Sequence, residues 1–209
     1  MAKYGEKWAR RNGRSPYTVM TTDDICKMPI AEIADKNSIC LMWATYPKLE
    51  DGLQVLKAWG FEFKTVAFTW VKLNPSGVGW HFGLGYHTRQ NPEIVLLGTR
   101  GKSISRADNT IANLIVWPRG RHSAKPPIVR DKIERLYGDV SRIELFSRDI
   151  VPGWDRWGNE VICSEGAKIL EPYLIPPIET IVDDDEYLGL PVGDTVQESY
   201  DYGEQMNLI

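Results

Sequence analysis

The sequence has no run of about 18 apolar residues, so nothing in it reads as a membrane-spanning helix. Its N-terminus, MAKYGEKWARR, lacks the apolar stretch of a secretory leader. From these absences a cytoplasmic chain is expected. Cysteine is scarce. Cys26, Cys40 and Cys163 stand far apart and show no metal-ligand spacing, which excludes a zinc module or a disulfide framework and leaves free thiols in a reducing compartment. No internal repeat appears. Basic residues are almost missing from residues 161–209, where Lys168 stands alone against eleven carboxylates, a formal charge of −10. Residues 1–160 then carry +7. A basic body with an acidic tail suits a polyanionic partner held by the body.

What is present is enough for one domain and a tail: 209 residues, 43% hydrophobic and 11% aromatic, with eight tryptophans. Thr21 followed by Thr22, Asp23 and Asp24 predicts a capped helix start. Residues 38–45 (SICLMWAT) form a nearly continuous apolar run, the mark of a strand buried on both faces. Leu49, Leu53, Leu56 and Trp59 recur at helical spacing, and Gly60 follows as a left-handed cap. Residues 61–72 alternate as a strand. A long irregular segment, 73–91, is rich in Gly, Trp and His; loops of that length are usually functional. Strands are predicted at 93–99, 113–117 and 142–147, and a helix over 127–137 that begins with proline and stops at Gly138. Strands alternating with helices predict an α/β sheet with helices on both faces. Beyond Glu160 the periodicity vanishes, so residues 1–160 read as the domain and 161–209 as an acidic tail, extended or partly disordered.

Three clusters carry candidate chemistry. Gly83-Leu-Gly-Tyr-His-Thr-Arg89 offers glycines for close backbone approach, with Tyr86, His87 and Arg89 able to stack on or bind a nucleotide. Arg119-Gly-Arg-His-Ser-Ala-Lys125 lies between a strand end and a helix, where α/β folds place ligands. Ile143-Glu-Leu-Phe-Ser-Arg148 runs into Gly153-Trp-Asp-Arg-Trp-Gly-Asn-Glu160, whose polar groups suit ribose hydroxyls or a carboxylate.

In this order, and with Pro16-Tyr17-Thr-Val-Met20, Leu41-Met-Trp-Ala-Thr45, Ala58-Trp-Gly-Phe61, Thr69-Trp-Val-Lys72 and Asn91-Pro-Glu-Ile-Val-Leu-Leu-Gly98, the clusters resemble the MT-A70 family. The Gly-Leu-Gly-Tyr variant resembles its short bacterial and phage members. The resemblance implies a Rossmann-like methyltransferase sheet. It also implies transfer of a methyl group from S-adenosylmethionine to the N6 amine of adenine in nucleic acid, DNA before RNA. By the same resemblance Lys125, Arg148, Asn159 and Glu160 correspond to cofactor-side positions. Tyr17, Trp70, Lys72, Glu93 and Ser123 correspond to the target-adenine side, where Tyr86 and Arg89 of the first cluster join them as substrate-binding candidates.

The family's catalytic Asp-Pro-Pro-Trp is absent from the 209 residues. Neither Glu171-Pro-Tyr-Leu nor Ile175-Pro-Pro-Ile has an Asp before the prolines and an aromatic residue after them, so a permuted site is not expected. The first strand of the sheet is therefore expected to be missing, with a neighbouring strand edge in need of cover, for instance from the tail. Two readings follow. One is an enzyme whose first strand comes from further upstream or from a partner polypeptide. The other is an inactive pseudo-methyltransferase that serves as a nucleic-acid-binding or partner-binding subunit.

Overall fold

A computed structural model describes residues 20–85, 87–121 and 123–174. Thr21 caps α1 (Thr22–Cys26) as the sequence predicts, its hydroxyl accepting from the Asp24 N–H at 3.1 Å. A short turn of helix, α2 (Ile30–Ile33), leads into β1 (Ser38–Ala44), whose last five residues are all buried. The helix α3 (Leu49–Ala58) ends at Gly60, which takes φ +82°, and the Phe61 N–H reaches back to the Leu56 carbonyl at 2.9 Å. Then follow β2 (Glu62–Leu73), β3 (Glu93–Arg100), β4 (Leu114–Pro118) and α4 (Ile128–Tyr137).

The four strands form one mixed sheet in the order β1-β3-β2-β4. No helix separates β2 from β3, so they pair antiparallel across the long loop. Strand β1 is also antiparallel to β3, and β4 is parallel to β2. Hence β1, β2 and β4 all point the same way, and their carboxyl ends share one edge with the start of β3.

Side chains alternate across the sheet into two apolar layers. Cys40, Met42, Ala44, Ile94 and Leu96 face α3 and its neighbours. Leu41, Trp43, Phe68, Trp70, Val95 and Ile115 face α4 through Val129 and Ile133. Helices thus cover both faces, as the alternating pattern predicts. Burial pushes the Cys40 thiol well above its ordinary pKa, so it stays protonated.

Three elements beyond residue 140 differ from the sequence reading. The strand expected over 142–147 shortens to β5 (Ile143–Leu145), and it pairs with β6 (Asp155–Trp157) in a separate two-stranded sheet. Strand β6 lies inside what reads as a Trp-rich loop. Past Glu160, where the periodicity fades, residues Glu165–Tyr173 form a 3-10 helix with Ala167 and Leu170 fully buried. Residues 175–209 lie outside the described residues, and with them the expectation that the tail covers a strand edge. The same holds for residues 1–19, where a missing first strand would join.

Candidate active site

At the shared carboxyl edge, Glu93 opens β3 directly beside Trp70 near the end of β2. Its carboxylate is almost wholly buried and is gripped by two ammonium groups, Lys125 Nζ at 2.7 Å and Lys72 Nζ. Desolvation pushes the Glu93 pKa up, but Lys125 and then Lys72 outweigh it and hold the group below the ordinary carboxylate range. The trio thus sets two basic side chains against one carboxylate in a largely dry place.

Tryptophans wall this cluster. Lys125 Nζ sits 5.5 Å from the Trp43 ring centroid and Lys72 Nζ 5.2 Å from that of Trp70. The two rings meet edge to face at 6.1 Å. Trp70 is buried, and its indole N–H donates to the Trp117 carbonyl at 2.9 Å. The Trp43 indole N–H is buried with no acceptor among the described residues.

Asn91 fixes the loop to the cluster. Its carbonyl accepts from the Lys72 N–H at 2.9 Å, and its amide donates to the Lys72 carbonyl at 2.8 Å and to the His81 carbonyl. Loop residue His81 also donates its backbone N–H to Lys72 and lies 3.2 Å from the Arg119 guanidinium. Arg89 is exposed, donates to the Phe82 carbonyl at 2.7 Å and stacks over the Phe82 ring.

A second cluster forms at the end of β5. Arg148 Nε pairs with Glu160 at 2.7 Å, with both side chains partly open to solvent. Asn159 lies next to Glu160, on the turn that leaves β6. The turn is held tightly, because Gly158 packs on the Ser147 backbone. A Cβ at residue 158 would meet the Ser147 carbonyl oxygen and lie 2.8 Å from its nitrogen. Gly158→Ala is accordingly expected to lose about 1–3 kcal/mol in chemical denaturation; an unchanged midpoint would show that the turn can yield. Beneath, Arg130 makes a two-pronged pair with Glu144 at 2.9 and 3.0 Å, tying α4 to β5.

Of the residues singled out from sequence, Trp70, Lys72, Glu93 and Lys125 come together. Ser123 lies two residues before Lys125 with φ +57°. Arg148, Asn159 and Glu160 gather in the second cluster. Arg89 is on the loop, and Tyr17 and Tyr86 lie outside the described residues. Sequence reasoning did not single out Trp43, Asn91 or His81 as parts of the site, and it carried Arg119 only as the head of the Arg119–Lys125 cluster. The available signals were a tryptophan at the carboxyl end of a buried strand and an asparagine just before Pro92-Glu93. Among the described residues no group of three His, Cys, Asp or Glu could hold a metal, and no helix is long and apolar enough to cross a membrane.

The profile of the MT-A70 family matches residues 3–160. The type II methyltransferase M.MunI of Mycoplasma sp is 33% identical over 148 residues, covering 69% of this chain and 60% of that protein. The N(6)-adenosine-methyltransferase MT-A70-like protein of Drosophila melanogaster is 29% identical over 163 residues, 77% of this chain and 26% of its own. The human N(6)-adenosine-methyltransferase catalytic subunit METTL3 is 28% identical over 163 residues, 77% of this chain and 27% of its own. The alignments thus span less than two thirds of each of these relatives. The profile match covers most of the 209 residues, from before the first described helix to the turn that carries Asn159 and Glu160, and the chain belongs to the MT-A70 family.

Proposed function

We propose that this chain is the Rossmann-like body of an S-adenosylmethionine-dependent methyltransferase acting on the N6 amine of adenine in DNA. The observation that carries the reading is the buried Lys72–Glu93–Lys125 cluster at the carboxyl edge, walled by Trp43 and Trp70, in a member of this family. Edges of this kind are where α/β sheets bind ligands.

The donor sets fit the two ends of S-adenosylmethionine. The trio, with two basic side chains to one carboxylate, suits an anionic group, such as the carboxylate of the methionine end, which Lys125 would hold. The guanidinium of Arg148, the amide of Asn159 and the carboxylate of Glu160 together offer donors and acceptors for nucleoside hydroxyls. When bound, the cofactor supplies an electrophilic methyl group on sulfur. Glu93 is a poor base, because two ammonium groups stabilise its ionised form. It therefore orients rather than takes a proton, holding the two lysine side chains in place.

The adenine amine is a weak nucleophile, since its lone pair is delocalised into the ring. As it attacks, positive charge grows on nitrogen and needs preorganised acceptors. The family's Asp-Pro-Pro-Trp provides them, and residues 1–209 contain no such tetrad. We therefore expect the 209-residue polypeptide alone to incorporate no label from radiolabelled S-adenosylmethionine into adenine-containing DNA. Addition of a segment bearing the tetrad, from the upstream reading frame or a partner chain, should produce N6-methyladenine. Robust turnover by the 209 residues alone would overturn the expected impairment. Binding of cofactor and DNA without any turnover, even with the tetrad supplied, would favour the pseudo-methyltransferase instead.

A further inference from the structure

The charge of the body is concentrated more sharply than its total reveals. Residues 63–130 hold ten Lys and Arg but only two carboxylates, Glu93 and Asp108. Neither balances the surface. Glu93 is buried under its two lysines, and Asp108 is held by Thr110 and Arg135, with its pKa drawn down to about 2. Arg89, Arg119 and Arg121 are exposed at the carboxyl edge, and none makes an ion pair among the described residues. Arg119 is pinned there by its backbone N–H to the Leu73 carbonyl at 3.0 Å, and Arg89 by the Phe82 carbonyl.

The opposite charge sits at the other end of the same chain. Residues 175–209 contain nine carboxylates, from Glu179 to Glu204, and no Lys, Arg or His. They start just past Tyr173, whose hydroxyl donates to the Lys27 carbonyl at 3.0 Å, so their point of departure is fixed on the body. Their contour of about 115 Å far exceeds a body with a radius of gyration of about 16 Å, so any part of the surface lies within reach.

We infer that residues 175–209 dock on the basic carboxyl edge formed by Arg89, Arg119 and Arg121, and compete there with the phosphate backbone of nucleic acid. The competition rests on the nucleic-acid reading above; the docking does not. A tethered polyanion acts at an effective concentration in the millimolar range without needing a strong contact. Its attraction is ionic and is screened as salt rises.

The test compares the full chain with a full-length variant in which the nine tail carboxylates become Asn or Gln. Affinity for a fluorescent single-stranded oligonucleotide, read by anisotropy, should rise about tenfold in the variant at low salt, with the gap closing at high salt. Equal affinities, or a gap that ignores salt, would overturn the competition. A labelled peptide of residues 175–209 is then offered to the neutralised variant. It should bind at low salt and be weakened by added Arg119→Gln and Arg121→Gln; a peptide that does not bind overturns the docking. Peptide capture without oligonucleotide binding by either chain would sustain the docking and remove the nucleic-acid reading.

Discussion

Glu93→Ala is expected to cost about 3–5 kcal/mol of folding stability, the penalty for stripping the counter-charge from a buried ion cluster. The two ammonium groups of Lys72 and Lys125 would face each other with nothing between them, in a place where both side chains are largely withdrawn from water. Glu93→Gln keeps the volume and loses the charge, so it should lie near the alanine variant rather than near wild type. Lost packing predicts the opposite order. Replacing all three residues with apolar ones of similar size removes the uncompensated charge and should restore much of the stability. The pH dependence has a definite sign. The folded-state pKa of Glu93 lies below its ordinary value of 4.5, so its contribution is fully present above that value and is lost as the pH falls through the lower one. The gap between wild type and Glu93→Gln is therefore wide at neutral pH and narrows in acid. Urea denaturation at the two pH values measures it, and a gap that widens in acid would sink the assignment.

That cluster marks the limit of what the sequence can tell. Each member lies in a block that resembles the family, so their grouping was readable by analogy. Their mutual contact was not, because Lys72, Glu93 and Lys125 are brought together by sheet register and a loop, and no local period encodes either. Asn91 and His81 were hidden for the same reason: Asn91 uses its side-chain amide and His81 its backbone N–H, but both meet the Lys72 backbone across the long loop, a pairing that no local period encodes. The main strands were legible where one physical signal dominated. Five consecutive buried residues in β1 leave a continuous apolar run, and Gly60 stops α3 where φ turns positive. Strand β6 was missed because three residues are too few to show alternation, and its Trp157, with Trp154 just before it, reads as a loop aromatic. The 3-10 helix Glu165–Tyr173 was concealed by the acids around it, although Ala167 and Leu170 at a spacing of three are its buried face.

Trp157→Ala should be as damaging, by about 3–5 kcal/mol, and it tests whether the domain really runs past Glu160. Trp157 is almost wholly buried in the layer that includes Leu56, Leu96 and Leu170. It meets the Phe146 ring edge to face at 5.0 Å, and its indole N–H donates to the Leu170 carbonyl at 3.0 Å. Truncation to alanine opens a large cavity and also leaves that carbonyl without its donor. Trp157→Phe keeps most of the volume and loses the bond, so its cost should be nearer 1–2 kcal/mol. Because the partner of Trp157 lies in the 3-10 helix, ending the chain before Glu165 should destabilise it about as much as Trp157→Ala. Ending it after Leu174 should leave the melting temperature close to that of the full chain, since both core layers remain. If both truncations melt alike and like the full chain, the 3-10 helix adds nothing to the core and the domain ends near Glu160. If only the shorter one melts early, by about 10 °C, the segment that composition assigns to an acidic tail is the last structural element of the domain.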